Sequence, residues 1–173
     1  MYRFRTATVN DVDLIVALVE SAYRGDSSRQ GWTTEADLLD GQRTDADEVT
    51  RLIEHKSSCI LLCECHHQII GCVHLLNKHK YGYLGMFAVS PHEQGQGAGK
   101  QLLAEAEQIV FNQWHCPSLR MAVISLREDL IAWYQRQGYK ANGKFMPFPY
   151  GDERYGIPRR DDLRLSVLEK FKS

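Results

Sequence analysis

The most informative segment of this chain is Gln94-Gly95-Gln96-Gly97-Ala98-Gly99-Lys100, a glycine turn in which every second residue from 95 to 99 is glycine. It follows an apolar run at 84–89 that is typical of a strand, and it precedes residues 100–111, whose apolar positions recur at helical spacing. The first N–H groups of a helix are unpaired, so the turn predicts a cradle for an anion such as a pyrophosphate. Glycines allow the backbone to approach such a group closely, although a tight turn into the helix explains them equally well on this feature alone.

Two common phosphate-binding motifs do not fit this turn. A P-loop requires a hydroxyl residue after its Gly-Lys pair to hold magnesium, whereas Gln101 follows Gly99 and Lys100. The dinucleotide fingerprint requires GxGxxG within a parallel βαβ unit, whereas the spacing here is GxGxG and the preceding strands are predicted to be antiparallel. The turn therefore indicates neither a P-loop nor a dinucleotide-binding site.

Outward from the turn, apolar periodicity predicts a mixed α/β chain built on one sheet, with helices first. The two leading helices are expected at 12–23 and from a capping box at 44–47 through Ile53, with a short helical piece at 35–39 between them. The strands are expected at 59–64, 69–76 and 81–89, an antiparallel meander, and then at 119–125 and 163–168. A further helix is expected at 128–137, and the proline-containing connection 141–162 is expected to be an irregular loop.

Composition and charge argue against a nucleic-acid-binding protein and against a membrane protein. The length of 173 residues predicts one domain, 1–173, and the net charge of −1 provides no positive field for nucleic acid or an anionic membrane. The apolar runs are too short to span a bilayer, and the polar N-terminus is unlike a signal peptide. We therefore expect a cytoplasmic protein with neither nucleic-acid nor membrane partners.

The cysteines admit two interpretations. There are five of them, an odd number that favours free thiols over a disulfide framework. The segment Cys63-Glu64-Cys65-His66-His67 invites a metal interpretation, but no second ligand pair occurs at a standard zinc spacing. We favour structural cysteines followed by two histidines in a turn, and we expect no metal.

The glycine turn at 94–100 resembles the acetyl-CoA-binding motif of the GCN5-related N-acetyltransferase (GNAT) superfamily. The family pattern Q/R-x-x-G-x-G/A is matched by Gln94, Gly97 and Gly99, and the preceding 84–91 is similar to the family's fourth strand. Residues 130–139, Leu-Ile-Ala-Trp-Tyr-Gln-Arg-Gln-Gly-Tyr, are similar to the family's A-x-x-Y-x-x-x-G-F/Y helix ending. Two spaced motifs are specific together where each alone is not.

The resemblance implies a mixed, mostly antiparallel sheet whose splayed central strands, flanked by helices, admit the pantetheine arm of acetyl-CoA. It implies direct acetyl transfer to an amine, with Tyr134 as the general acid that protonates the departing thiolate. The implied acetyl-CoA contacts are Phe87, Val89, Gln94, Gly95, Gln96, Gly97, Ala98, Gly99 and Lys100.

Two positions depart from the family pattern. Arg127 stands where an asparagine is frequent, and Tyr83 stands where some members carry a glutamate base. An amine of reference pKa about 10.4 must lose a proton at a cost of roughly 4 to 5 kcal/mol at neutral pH, so some group must accept it. Candidates are His74, Glu64 and Glu153, but for each of them we favour a solvated charge or a satisfied strand histidine, so no base is assigned.

The acceptor is expected near the first helix, the loop after it and the late loop. These segments offer aromatic and acidic residues that suit a cationic amine or, equally, ordinary loop solvation: Glu20, Tyr23, Trp32, Tyr150, Asp152 and Glu153. We expect an N-acetyltransferase of a small-molecule amine. The alternatives are a non-catalytic acyl-CoA-binding module and a protein or peptide N-acetyltransferase, and the resemblance is compatible with a homodimer.

Overall fold

The structure, a computed structural model, describes residues 1–173. The helices are α1 (Val12–Tyr23), α2 (Gly25–Ser28), α3 (Ala46–Glu54), α4 (Ala98–Gln108), which continues as a π-helical turn (Ile109–Gln113), and α5 (Glu128–Arg136). The strands are β1 (Arg3–Thr6), β2 (Leu39–Asp40), β3 (Ser58–Cys65), β4 (Gln68–Asn77), β5 (Gly82–Val89), β6 (Ser118–Ile124), β7 (Lys140–Pro147), β8 (Ile157–Pro158) and β9 (Arg164–Phe171). No helix is both long and apolar enough to cross a membrane.

Seven strands form one sheet in the order β1-β3-β4-β5-β6-β9-β7. Every neighbouring pair is antiparallel except β5 and β6, which are parallel. The meander predicted from the sequence is confirmed as β3, β4 and β5. The turn between β3 and β4 contains His66 and His67, which both adopt positive φ. The mixed, mostly antiparallel sheet flanked by helices agrees with the expected fold class.

The parallel pair splays apart in the middle of the sheet. β5 and β6 are in register only from Gly82 to Leu84, so the rest of β5 has no partner on that side. Val89 is opposite Gly71 of β4, and the Ser90 N–H donates to the Ile70 carbonyl. This register turns the N–H and carbonyl of Val89 away from β4 and toward the gap. The splay therefore exposes strand backbone to a ligand between β5 and β6.

Two hydrophobic clusters lie on opposite faces of the sheet. Alternate residues of β3 divide between them, with Leu61 and Cys63 in one and Ile60 and Leu62 in the other. The first cluster holds α4 and α5 against the sheet, and the second holds α1 and α3 against the other face. The resulting helix–sheet–helix layers give the splayed strands a rigid support.

Several expectations about the elements are wrong. The chain begins with a strand rather than a helix, because β1 has only four residues, too few to show a period. The connection 141–162 is not an irregular loop: most of β7 and all of β8 lie in it, and β7 tolerates Pro147 because it is a terminal edge strand. Residues 35–39 are not helical but form a turn into β2, which pairs with β8 in a separate two-stranded sheet.

Candidate functional site

Two cavities meet at the splay between β5 and β6. The first, which we call the groove, has a volume of about 590 Å³ and lies between the end of β5, the glycine turn and α5. The second, which we call the pocket, has a volume of about 430 Å³ and lies under the late loop, between the splayed strands. Four residues line both cavities: Tyr23, Phe87, Leu130 and Tyr134. A ligand in the groove and a ligand in the pocket would therefore meet at these side chains.

The glycine turn forms one end of the groove. None of the N–H groups from Gly95 to Lys100 donates a hydrogen bond to another protein group. Gly97, the N-cap of α4, has φ of 91° and Gly95 has φ of 81°, and a Cβ at either position would meet no protein atom within 4 Å. Six unpaired amides at the positive end of an 11-residue helix provide a site for an anion. The residues present therefore fit a pyrophosphate.

Gln94 ties the turn to the loop after α2. Its Oε1 accepts from the Trp32 N–H at 2.9 Å, and its Nε2 donates to the Thr33 hydroxyl and the Val89 carbonyl, both at 2.9 Å. A Cβ at Gly31 would lie 2.5 Å from this Oε1, so glycine allows the loop to come this close. Gln94 thus shapes the groove by linking three of its segments.

Tyr134 lies where the groove and the pocket join. Its side chain is buried, its ring packs edge-on against Phe87, Trp133 and Tyr139, and its hydroxyl makes no hydrogen bond to another protein group. Burial raises the pKa of Tyr134 well above its ordinary value, so the phenol stays protonated at neutral pH. The site therefore presents one buried, protonated hydroxyl that is free to donate.

Tyr23 supports the same junction from α1. Its hydroxyl donates to the Phe87 carbonyl, and burial raises the pKa of Tyr23 to about 12. Since the Val89 carbonyl accepts from Gln94, both carbonyls of this strand edge are satisfied within the protein. The Val89 N–H remains directed toward the gap, so this edge offers a donor to a ligand.

Charged side chains gather in the otherwise apolar pocket. Sixteen of its 23 lining residues are hydrophobic, but Arg24, Glu35, Arg43 and Arg127 also line it. Glu35 lies 3.6 Å from Arg24 and 4.0 Å from Arg127, beyond hydrogen-bond distance of either guanidinium. Burial lowers the pKa of Arg24, although an arginine keeps its charge in proteins. The pocket thus holds three arginines and a single carboxylate.

The structure brings together most of the residues that the sequence implied for acetyl-CoA. Those that line the groove are Phe87, Val89, Gln94, Gly95, Gly97, Gly99 and Lys100. Gln96 is exposed and Ala98 lies in the core, and neither side chain lines it. Gln96 and Ala98 can therefore contact acetyl-CoA only through their backbone amides.

The base candidates lie elsewhere. His74 is buried and bonded to the Ser58 hydroxyl at 2.7 Å, Glu64 pairs with Arg5, and Glu153 is exposed; none lines either cavity. Burial lowers the pKa of His74 to about 4, because desolvation disfavours its charged form.

The acidic acceptor set predicted from the loops does not assemble. Glu20 accepts from the N–H groups of Arg43 and Thr44, and Asp152 pairs with Arg154, so both carboxylates are used within the loops. Among the six predicted residues only Tyr23 lines the pocket, and Trp32 lines the groove. The structure therefore favours the loop-solvation interpretation of these acidic residues, because sequence proximity to the site does not settle which way a loop side chain faces.

Sequence reasoning missed the residues that do line the pocket. Arg24 and Arg43 sit in loops with no motif, and Glu35 was expected in a short helix. The available signal was Arg127, whose departure from the family pattern marked its position. In the structure it lies at the N-terminus of α5, opposite Glu35.

Comparisons with known proteins agree with this geometry. Residues 19–139 match the model of the acetyltransferase (GNAT) family. The chain is 30% identical to an S-alkylcysteine N-acetyltransferase from Bacillus subtilis, over 79% of this chain and 78% of the relative.

Solved structures share the fold at low sequence identity. An N-acetyltransferase from Staphylococcus aureus Mu50 superposes with a TM-score of 0.74 at 13% identity, covering 99% of this chain and 97% of its own. An acetyltransferase structure from Salmonella typhimurium with its cofactor acetyl-CoA gives a TM-score of 0.72 at 15% identity, covering 99% of this chain and 94% of its own.

Proposed function

Because the chain belongs to the GNAT acetyltransferase family and is an acetyl-CoA-dependent N-acetyltransferase, we propose that it acetylates the primary amine of a small molecule by direct transfer. The observation that carries this proposal is the meeting of the groove and the pocket at Tyr134. One sheet connects β1 to β9, which supports treating residues 1–173 as a single catalytic domain.

The groove accounts for the binding of acetyl-CoA. The pyrophosphate is a dianion that suits the six unpaired amides of the glycine turn, and Lys100 and Arg136 add positive charge to the lining. The pantetheine arm carries amides that pair with the free strand edge at Val89. The thioester then lies toward the junction at Tyr134, where the pocket opens.

The chemistry requires one bond to form and one to break. A neutral amine in the pocket attacks the thioester carbonyl, the carbon–sulfur bond breaks, and the thiolate takes the phenolic proton of Tyr134. The new amide nitrogen then loses its extra proton, directly or through water, to the Tyr134 phenolate, which restores the phenol. A reference thiol has a pKa about 1.5 units below that of a reference phenol, so in water this transfer is uphill. Because burial raises the pKa of Tyr134 as well, the transfer stays uphill until the carbon–sulfur bond breaks, and the phenol acts as the donor only to the charge that develops on the departing sulfur.

The size and setting of the pocket support a small acceptor. A volume of about 430 Å³ holds a molecule of amino-acid size but not a folded protein surface. The relative from Bacillus subtilis acts, by its name, on an S-alkylcysteine, an amine of that size. Both observations favour a small molecule over a protein acceptor.

The test follows CoA thiol release from acetyl-CoA with a panel of amino acids, polyamines, arylamines and short peptides. We expect release that saturates with one class of small amine, with the N-acetyl product identified by mass spectrometry. Release with peptide N-termini alone would contradict the small-molecule acceptor, and acetyl-CoA binding without release on any member would contradict the transfer itself.

A further inference from the structure

Building on the proposed function, we infer that the acceptor is an apolar α-amino acid whose carboxylate is bound by the arginines of the pocket, Arg127 above all, with Arg43 and Arg24. Its amine then points to the junction with the groove, and its side chain fills the apolar part of the pocket.

The first support is the state of Arg127. Its side chain is only 8% exposed, yet its guanidinium donates no hydrogen bond to another protein group. Its single ion-pair partner is Glu35, whose carboxylate oxygen lies 4.0 Å from the guanidinium nitrogen. Charge-assisted hydrogen bonds of arginine to carboxylates are typically about 2.7 to 2.9 Å long. A buried guanidinium with its five donors unused is costly unless a ligand pairs with it.

The neighbouring arginines are also incompletely paired, although Arg24 donates to the carbonyls of Tyr23 and Tyr155 at 3.5 and 3.3 Å. Arg24 is 5% exposed, and its Nε is the only fully buried side-chain nitrogen or oxygen in the protein without a hydrogen-bond partner. The Arg43 guanidinium makes no hydrogen bond or ion pair and lies 5.6 Å from the centre of the Tyr23 ring. Glu35 lines the pocket and Glu20 lies near Arg24 and Arg43, so two carboxylates face three cations, and an anionic ligand completes the charge balance.

The remainder of the pocket is apolar and adaptable. Three of the four methionines in the chain, Met86, Met121 and Met146, line it together with Phe148 and Leu165. Methionine side chains are flexible and polarizable, and they fit apolar groups of varied shape. This lining suits an aliphatic or thioether side chain and provides no partner for a second charge.

The arginines also address the missing base. A positive charge near an ammonium group lowers its pKa, because the like charge disfavours the protonated form. Binding in this pocket therefore makes the amine easier to deprotonate, and no residue need act as a strong base. The same field disfavours polyamines and other cationic acceptors, which are the class that the acidic loop residues had suggested.

The experiment compares L-methionine with methylthiopropylamine, the same molecule without the carboxylate. We expect kcat/KM for methionine to be about 100-fold higher, mainly through KM, since a bidentate arginine–carboxylate pair is strong and specific. Calorimetric titration of both probes into the CoA complex gives a readout independent of turnover, and we expect tighter binding of methionine.

Arg127→Gln is expected to reduce this preference to about tenfold or less by raising KM for methionine while leaving the values for methylthiopropylamine nearly unchanged. Arg43→Gln, which removes a guanidinium that makes no hydrogen bond or ion pair, is expected to act in the same direction and keeps the test valid should the first variant fold poorly. The matched control is Arg154→Gln in the exposed late loop, where the arginine pairs with Asp152 and does not line the pocket.

Equal kcat/KM and equal affinity for the two probes in the wild-type protein would overturn the carboxylate site, while acetylation of both would leave the proposed function standing. If neither probe is acetylated but methionine alone binds the CoA complex, the carboxylate site is supported and small-amine transfer fails. Preferential acetylation of spermidine would also overturn the inference.

Discussion

The groove and the pocket share four residues but are built in opposite ways. The ligand-facing groups at the phosphate end of the groove are backbone amides from consecutive residues, Gly95 to Lys100. The polar groups of the pocket are side chains from distant segments, such as Arg24 after α1 and Arg127 before α5. A ligand common to the whole family can be held by a local backbone motif, whereas the acceptor is selected by long-range placement of side chains.

This contrast predicts different responses to substitution. Changes in the groove should alter the use of acetyl-CoA with every acceptor alike, and changes in the pocket should alter the choice of acceptor. The junction at Tyr134 belongs to both, and its loss should slow the reaction without weakening either ligand.

The largest effect is expected for Tyr134→Phe. Removal of the proton donor should lower kcat by about 100-fold to 1,000-fold, with KM for acetyl-CoA nearly unchanged, as measured by CoA release. The unfolding free energy should stay close to wild type because this hydroxyl makes no hydrogen bond within the protein. Tyr139→Phe is the matched control, since that buried hydroxyl donates to Glu107 outside both cavities. A Tyr134→Phe enzyme with wild-type kcat would remove the phenol from the mechanism.

A titratable group outside both cavities should affect stability alone. His74 has its pKa lowered from 6.5 to about 4, so below pH 6.5 the unfolded chain binds a proton that the folded protein does not. Stability should therefore fall as the pH drops from 6.5 to 4, by about 3 kcal/mol from this residue.

His74→Asn should reduce this acid-side loss, measured by urea unfolding at several pH values, while kcat/KM at neutral pH stays within a few-fold of wild type. A loss of kcat like that of Tyr134→Phe, in a variant that remains folded, would return His74 to the list of candidate bases.

Gly97→Ala tests the cradle directly. The new Cβ would point into the open space beside the unpaired amides, and an alanine at φ of 91° adds roughly 1 to 2 kcal/mol of backbone strain. We expect KM for acetyl-CoA to rise about tenfold, with the preference among acceptors unchanged. Gly143→Ala, at φ of 80° in β7 with no neighbour within 4 Å, carries the same strain away from the groove. An equal rise in KM for acetyl-CoA in Gly97→Ala and Gly143→Ala would show that backbone strain, and not the loss of the anion site, causes the effect.

The smallest effect is expected for Gln94→Ala. Loss of its three hydrogen bonds should lower the unfolding free energy by about 1 to 2 kcal/mol and raise KM for acetyl-CoA a few-fold, because the loop at Trp32 is no longer tied to β5. Gln96→Ala is the control in the same turn, where the side chain bonds only to the His92 carbonyl at 3.3 Å. If Gln94→Ala changed kcat/KM for some acceptors and not for others, the expectation that groove residues affect every acceptor alike would be wrong.

Much of the fold was predictable because its signals are local. The meander, the helix after the glycine turn and the helix that carries Tyr134 each follow from periodicity within about ten residues, and the structure contains all three. The short edge strand β1 and the bulged β7 were missed, since edge strands carry a weak apolar pattern and depend on a partner for their conformation. The ion pair between Glu64 and Arg5, which removes Glu64 from the candidate bases, was likewise not predictable, because the two residues are distant in the sequence.

The family, the glycine turn and the helix position of Tyr134 could all be predicted from the sequence. Both motifs are local: the unpaired amides at the start of α4 and the place of Tyr134 on α5 depend only on residues that are neighbours in the chain. Three features depend on the three-dimensional arrangement: β5 and β6 part after Leu84, Tyr134 lies between two cavities, and Arg24, Arg43, Arg127 and Glu35 line one pocket. Burial and charge balance depend on residues that are distant in the chain, and these quantities distinguish an anionic acceptor from a cationic one.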